Sequence, residues 1–333
     1  MYQIFPYITL FSLTLFIRTL ATISSRNFII MWAALELNLL SFIPLILVRK
    51  NKQEAEAAVK YFLAQALGSG LFIISFLLIS YNPEFMSSPS ASRLLLIIGL
   101  ATKLGIAPTH FWFPSVIANS SWSTCLLLTT WQKIAPLTLI ITIITPNNIT
   151  LNFFGAISAL TGGIIGLNQT QLNSLLAYSS IGHLGWTISI LSISALQTVL
   201  YFIIYATTSI ILMLIFNLNN SYSIKQLPSL ISSPQKISFI LAVLLLSLGG
   251  LPPLLGFIPK LIALTSLTSN LQLILTFFLI IGSTLNLSYY LIIIFNLYIT
   301  SIKPSISPAL PVNIFFSSSL VIISSLILIP FFL

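Results

Sequence analysis

Residues 94–116 read LLLIIGLATKLGIAPTHFWFPSV. The run is apolar and long enough to cross a bilayer, which takes about 20 such residues. It nevertheless carries Lys103 and then Gly105 and Pro108, which an unbroken helix tolerates poorly in its interior. The arrangement returns later in the chain. Leu104-Gly105-x-x-Pro108 with Phe113 is matched by Leu248-Gly249-x-x-Pro252 with Phe257 at the same spacing, again within a long apolar segment. Proline removes a backbone donor and crowds the preceding turn, so both segments are expected to be broken helices. Broken helices persist in hydrocarbon only where they face protein or a water-filled cavity. Their recurrence in two halves of a chain points to a translocation site.

Working outward, the 333 residues are 57% hydrophobic and 5% charged. Soluble domains carry about 25% charged residues, so this chain cannot clothe itself for water. It reads as an all-α polytopic membrane protein of about eleven spans with two discontinuous helices, to which the family resemblance given below adds antiporter-like inverted repeats as an expectation. The apolar runs are Ile4–Leu20, Phe28–Val48, Ala58–Ser80, Leu94–Val116, Cys125–Thr145, Leu151–Leu167, Leu175–Ile193, Leu196–Leu218, Ile237–Leu267, Leu271–Thr300 and Pro311–Leu333. Leu and Ile come in blocks without the ten-residue alternation of a membrane barrel. We expect one integral membrane domain over 1–333, with a first repeat region at 58–218 and a second, with the last span, at 219–333.

Basic residues orient the spans. The connections after even-numbered spans hold Arg49, Lys50, Lys52, Lys60, Lys225, Lys236 and Lys303, and those after odd-numbered spans hold Arg18, Arg26 and Arg93. Positive charge stays on the side of synthesis, so the N-terminus is expected in the matrix or cytoplasm and Leu333 on the opposite face. The first run has no preceding basic stretch and does not resemble a cleaved signal. Arg49–Lys60 is expected to be an inner-face loop with Glu54 and Glu56 as solvated charges.

No Asp occurs, so Asp-based triads and EF-hand loops are excluded. His110, His183 and Cys125 are too few for a zinc or iron-sulfur site within the chain. The net charge of +9 forms no long run or aromatic-interleaved patch, which argues against nucleic acid.

Glu36, Lys103, Lys133 and Lys260 remain at membrane depth, with His183 as a companion. Each charge at a helix centre costs about 2.5–3.5 kcal/mol on the insertion scale. Low dielectric disfavours the charged form, which suits such groups to exchanging protons. Structural alternatives stay open at each position. Glu36 can be a buried acid paired with a lysine, and Lys103 and Lys260 can snorkel. His183 can be a satisfied core histidine in its hydroxyl-rich turn Tyr178-Ser179-Ser180-Ile181-Gly182-His183, and His110 fits either role equally. Cys125 reads as packing.

Several stretches together resemble one family: Met31-Trp32-x-x-Leu35-Glu36-x-Asn38, Lys60-Tyr61-Phe62-Leu63, Lys103-Leu104-Gly105-x-Ala107-Pro108-x-His110-Phe111-Trp112, Trp131-Gln132-Lys133-x-Ala135-Pro136, Leu167-Asn168-Gln169-Thr170-Gln171-Leu172, Tyr178-Ser179-Ser180-Ile181-x-His183-x-Gly185-Trp186, and Gly249-Gly250-Leu251-Pro252-Pro253-x-x-Gly256-Phe257-x-Pro259-Lys260. The combination is similar to the NADH-ubiquinone oxidoreductase chain 2 family, antiporter-like subunits of respiratory complex I in the mitochondrial inner membrane. The resemblance implies inverted five-helix repeats and a hydrated polar axis. Glu36 would pair with Lys103, and Lys133, His183 and Lys260 would continue the axis in proton translocation. It implies no cofactor in this chain, with NADH, FMN, iron-sulfur clusters and ubiquinone bound elsewhere in the complex. Implied partners are chains 4 and 4L, neighbouring core helices, accessory subunits and phospholipids such as cardiolipin. Asn173-Ser174 stand where many relatives carry a basic pair, which puts a charged loop anchor in doubt. An autonomous cation/proton antiporter and a structural membrane-arm spacer are the alternative functions.

Overall fold

The computed structural model describes residues 6–49, 51–81, 91–143, 149–224, 226, 235–252 and 254–299. Among these, the only bridge outside the helices joins Gln171 to Ser223. The helices are α1 (Pro6–Ser24), α2 (Phe28–Ile46), α3 (Lys52–Tyr81), α4 (Ala91–Leu104), α5 (Trp112–Ala118), α6 (Trp122–Thr129), α7 (Trp131–Ile143), α8 (Ile149–Gly166), α9 (Leu172–Leu191), α10 (Ala195–Leu218), α11 (Gln235–Gly249), α12 (Phe257–Ser269) and α13 (Leu273–Ile299). Seven segments of 18 residues or more are apolar enough to cross a membrane: α1, α2, α3, α6 with α7, α8, α10 and α13. The expected span Pro311–Leu333 lies outside the described residues, as do Lys50, Lys225 and Lys303.

Both proline-bearing segments are broken as expected, the fourth span into α4 and α5 and the ninth into α11 and α12. The fifth span, read as continuous, is kinked between α6 and α7 at Thr130, whose φ and ψ are −115° and −71°. Pro136 lies six residues further on and has no N–H to offer the carbonyl of Gln132.

The stretch Arg49–Lys60 is not a loop. From Lys52 it is already α3, a helix of 30 residues. Glu54 is not solvated either: it is 3% exposed, and its Oε2 accepts the Arg49 N–H at 2.8 Å. A carboxylate in a first turn satisfies an otherwise orphaned donor and complements the helix dipole. Glu56 is exposed and pairs with Lys60 at 2.6 Å. Arg18, counted with a connection, lies within α1 on an exposed face.

The chain forms two compact units, Met1–Thr145 and Pro146–Leu333. In the first, α3 packs on α2, α4 and α5, and α7 packs on α1, α4 and α6. In the second, α9 lies among α8, α10, α12 and α13. Every α9 residue except Tyr178 is buried, including Ser179, Ser180, His183, Thr187 and Ser189. This central position explains how a helix so rich in serine and threonine can sit in a membrane chain: all of those side chains are buried against neighbouring helices. The α8–α9 seam is tight at Gly162, where a Cβ would lie 2.7 Å from the Tyr178 carbonyl oxygen. Small residues at such seams let membrane helices approach closely.

Candidate functional site

In the first unit the α4 break is built by a local cap. Gly105 adopts φ +72° and donates its N–H to Ala101 O and Thr102 O at 3.0 and 3.2 Å, while Ile106 N–H reaches Ala101 O at 3.1 Å. This is a Schellman-type termination, in which a left-handed glycine ties off the last turn. The remaining carbonyls of that turn find side-chain donors. Trp112 Nε1 donates to Thr102 O at 2.9 Å, and Gln65 Nε2 on α3 donates to Lys103 O at 3.2 Å. The broken end is thus hydrogen-bonded to protein rather than left in hydrocarbon.

Lys103 closes that turn. It is 6% exposed and its Nζ points to Gln65 O at 3.5 Å, so it is held inward and does not snorkel. Lys133, in the first turn of α7, is 2% exposed with Nζ 4.8 Å from the centre of the Phe113 ring. The two lysines line one cavity of about 10 Å³ with Asn38, Gln65 and Gln132. That is about the smallest space in which a water fits. Asn38 Nδ2 donates to Gln132 Oε1 at 2.8 Å, bridging α2 and α7. Glu36 is only partly buried and stands outside this lining, yet its charge acts on Lys103 through space. The expected direct pair is therefore a longer-range one, unlike the contact pair that Lys60 makes with Glu56.

In the second unit the cap recurs at Gly250, with φ +81° and its N–H on Leu246 O and Ser247 O at 3.0 Å each. Leu251 N–H reaches Leu246 O at 3.3 Å. The structural counterpart of Gly105 is hence Gly250, one residue later than the Gly249 of the sequence echo. Lys260 is 6% exposed and reaches back across the break from α12 to donate to Gly249 O at 2.7 Å and Leu248 O at 3.4 Å. Snorkelling is excluded for this side chain as well. His183 Nδ1 lies 3.0 Å from the Tyr201 hydroxyl. A second cavity of about 10 Å³ is lined by His183, Tyr201 and Tyr205 together with Ser247 and Leu248 of α11 and Pro259 of α12.

The sequence reading missed the uncharged part of these sites. Gln65, Gln132, Tyr201 and Tyr205 lie in apolar runs, and counting charges alone passes over them. His110 is buried in the α4–α5 break with its ring stacked on Phe111 at 4.5 Å. Cys125 is a buried thiol against Ser120, as packing predicts. No group of three or more His, Cys, Asp or Glu side chains gathers among the described residues.

The chain is 43% identical over 295 residues to an NADH-ubiquinone oxidoreductase chain 2 of Lumbricus terrestris, covering 87% of each sequence. It belongs to the NADH-ubiquinone oxidoreductase chain 2 family. The counterpart from Locusta migratoria is 38% identical over 304 residues, covering 88% of this chain and 89% of its own. Residues 25–288 match the NADH:quinone oxidoreductase/Mrp antiporter transmembrane family. That interval contains both broken helices and all five proposed site residues of this chain 2 family member. Among solved structures, a chain of respiratory complex I from Thermus thermophilus superimposes with a TM-score of 0.84 at 25% identity, over 96% of this chain and 78% of its own.

Proposed function

We propose that this chain is a core membrane-arm subunit of proton-translocating NADH:ubiquinone oxidoreductase, a multi-pass protein of the mitochondrial inner membrane. Its share of the work is to move protons, coupled to electron transfer from NADH to ubiquinone on other subunits that hold the NADH, FMN, iron-sulfur and quinone sites. The proposed proton carriers are Glu36, Lys103, Lys133, His183 and Lys260. The observation that carries this reading is that Lys103 and Lys260 are each buried against a glycine-capped helix break, where carbonyls replace water as the ammonium's partners. A charge so placed is stable enough to exist and close enough to polar groups to pass a proton on. Changing the charge of one member alters the field at the next, as Glu36 does at Lys103.

The repeat organisation over 58–218 and 219–333, a matrix-facing N-terminus and an intermembrane-space C-terminus belong to the same proposal. So do contacts with chains 4 and 4L, accessory subunits and cardiolipin. The family match to complex I subunits, at up to 43% identity, favours it over an autonomous antiporter.

Lys103→Met in the assembled complex is the direct test, with NADH oxidation and proton uptake measured in sealed vesicles. We expect fewer protons moved per electron with assembly retained. Wild-type coupled pumping sinks the role of Lys103, and loss of assembly with pumping intact in the remainder favours a spacer.

A further inference from the structure

We propose that the cavity formed where α1 and α7 end and α2 begins holds the headgroup of a phosphatidylethanolamine, with the phosphate on Arg26 and the ammonium on hydroxyl oxygens of the two helix ends. The proposal goes beyond the proton-carrying reading and does not rest on it, since it needs only the placement of these helices in a bilayer.

The cavity measures about 590 Å³ and lies within the first unit. That is the size of a small-molecule site, far larger than the water-sized spaces beside Lys103 and His183. Its depth matches one layer of a membrane. α1 and α2 have 19 residues each, about 28 Å at 1.5 Å per residue, so their joined ends reach the edge of a hydrocarbon core about 30 Å thick. The lining runs from Ser25 and Arg26 in the turn to Met31 on α2 and Thr138 on α7, about 5–8 Å below the helix ends. The polar layer of one leaflet is about 5–7 Å deep, whereas its acyl chains span about 15 Å. The cavity thus takes in the level of phosphates and esters and stops short of the chains.

The polar lining is of two kinds. Arg26 is exposed in the turn between α1 and α2, and no carboxylate among the described residues pairs with it. Glu36 is eight residues into α2, about 12 Å deeper, while Glu54 and Glu56 engage Arg49 and Lys60 around the start of α3. Phosphate suits an arginine so placed, because the planar guanidinium grips it through two N–H groups. The hydroxyls, in contrast, face the cavity as acceptors. Thr22 and Ser25 donate to the carbonyls of Thr19 and Thr22 at 2.6 and 3.3 Å, and Thr138 and Thr142 to those of Ala135 and Leu139 at 2.9 and 3.2 Å. With their hydrogens turned onto the helices, these four offer only oxygen lone pairs. α1 and α7 both end here with no basic residue in the last turn, so the negative ends of two helix dipoles add to the lone pairs. A primary ammonium brings three N–H donors to such acceptors, and a trimethylated choline brings none. Met31 and Leu139, both buried, supply apolar surface for the glycerol and the first methylenes. Pockets of this mixed kind between membrane helices are suited to lipid headgroups.

The test labels the assembled complex, washed of loosely held lipid in detergent, with a phosphatidylethanolamine carrying a photoactivatable group near its ester. Cross-linked peptides of this chain are read by mass spectrometry, and unlabelled phosphatidylethanolamine, phosphatidylcholine and inorganic phosphate compete in separate arms. We expect label within residues 22–31 and 138–143. Phosphatidylethanolamine should displace it at about five- to tenfold lower concentration than phosphatidylcholine, the worth of about one hydrogen bond, and inorganic phosphate should not displace it. Arg26→Gln should lower labelling about five- to tenfold, between the worth of an exposed ion pair and that of a charged hydrogen bond. Thr138→Val with Thr142→Val should erase the preference over phosphatidylcholine and leave NADH oxidation as in the wild type. Each of three results overturns the proposal: equal displacement by the two lipids, which marks ordinary annular lipid; displacement by inorganic phosphate, which marks a bare anion site; and labelling unchanged by Arg26→Gln. The competition arms on the wild-type complex decide the case alone if a variant does not assemble.

Discussion

Replacing Gly250 by alanine should disable the second break, whereas the same change at Gly249 should be nearly silent. Gly250 holds φ +81°, and a Cβ there would lie 2.7 Å from Lys260 Cδ and 2.8 Å from its Nζ. An L-residue in the left-handed region costs about 1–2 kcal/mol. The lysine must also leave Gly249 O, to which it is bonded at 2.7 Å, and a hydrogen bond to a charged group is worth about 1.5–3 kcal/mol. Together these reach roughly 2.5–5 kcal/mol if both are lost in full. At Gly249 the φ is ordinary and the one close contact of the new Cβ is the mobile end of Leu287, Cδ1 at 2.6 Å, with Tyr290 Cδ2 at an ordinary 3.7 Å. A rotamer shift there costs about 0.5–1.5 kcal/mol, offset by a helix-propensity gain of about 0.5–1 kcal/mol. The assay compares the two variants for assembled complex, thermal inactivation of NADH:ubiquinone reductase activity and protons moved per electron. Equal effects, or a larger effect at Gly249, would refute both the cap register and the assignment of Lys260 to the carbonyls of α11.

Two further outcomes follow from the first unit. Glu54→Ala should lower the yield and heat stability of the complex by the equivalent of about 1–2 kcal/mol, since it strips a buried acceptor from the Arg49 N–H. Glu56→Ala, which removes an exposed i,i+4 pair with Lys60, should cost about 0.3–0.5 kcal/mol, and equal losses would contradict the burial difference. A double-mutant cycle of Asn38→Leu and Gln132→Leu, read as thermal inactivation, should give a coupling of about 0.5–1.5 kcal/mol. Strict additivity would mean that the 2.8 Å bond between them does not tie α2 to α7.

Much of this architecture is legible in residue order because hydrocarbon imposes so few solutions. Blocks of Leu and Ile mark the spans, and Gly-x-x-Pro marks where two of them break. Glu36, Lys103, Lys133 and Lys260 stand out because so few residues within the apolar spans carry charge. What composition hides is register and partnership. The echo placed Gly249 opposite Gly105, whereas the φ values pair Gly105 with Gly250, because a cap is set by the hydrogen bonds of the preceding turn and not by the proline downstream. The burial of Glu54 was equally invisible, since a polar stretch beside a span reads as loop until its acceptor role is seen. The kink at Thr130 carries no glycine to announce it.

Lys260 takes both of its acceptors from the main chain, at positions 248 and 249. Every amino acid supplies that oxygen, so the side chains at those positions can drift without removing what the ammonium needs. Tolerance of this kind moves genetic sensitivity one residue along, to Gly250, and a survey of variation that weighs only polar side chains would overlook the true partner of the lysine.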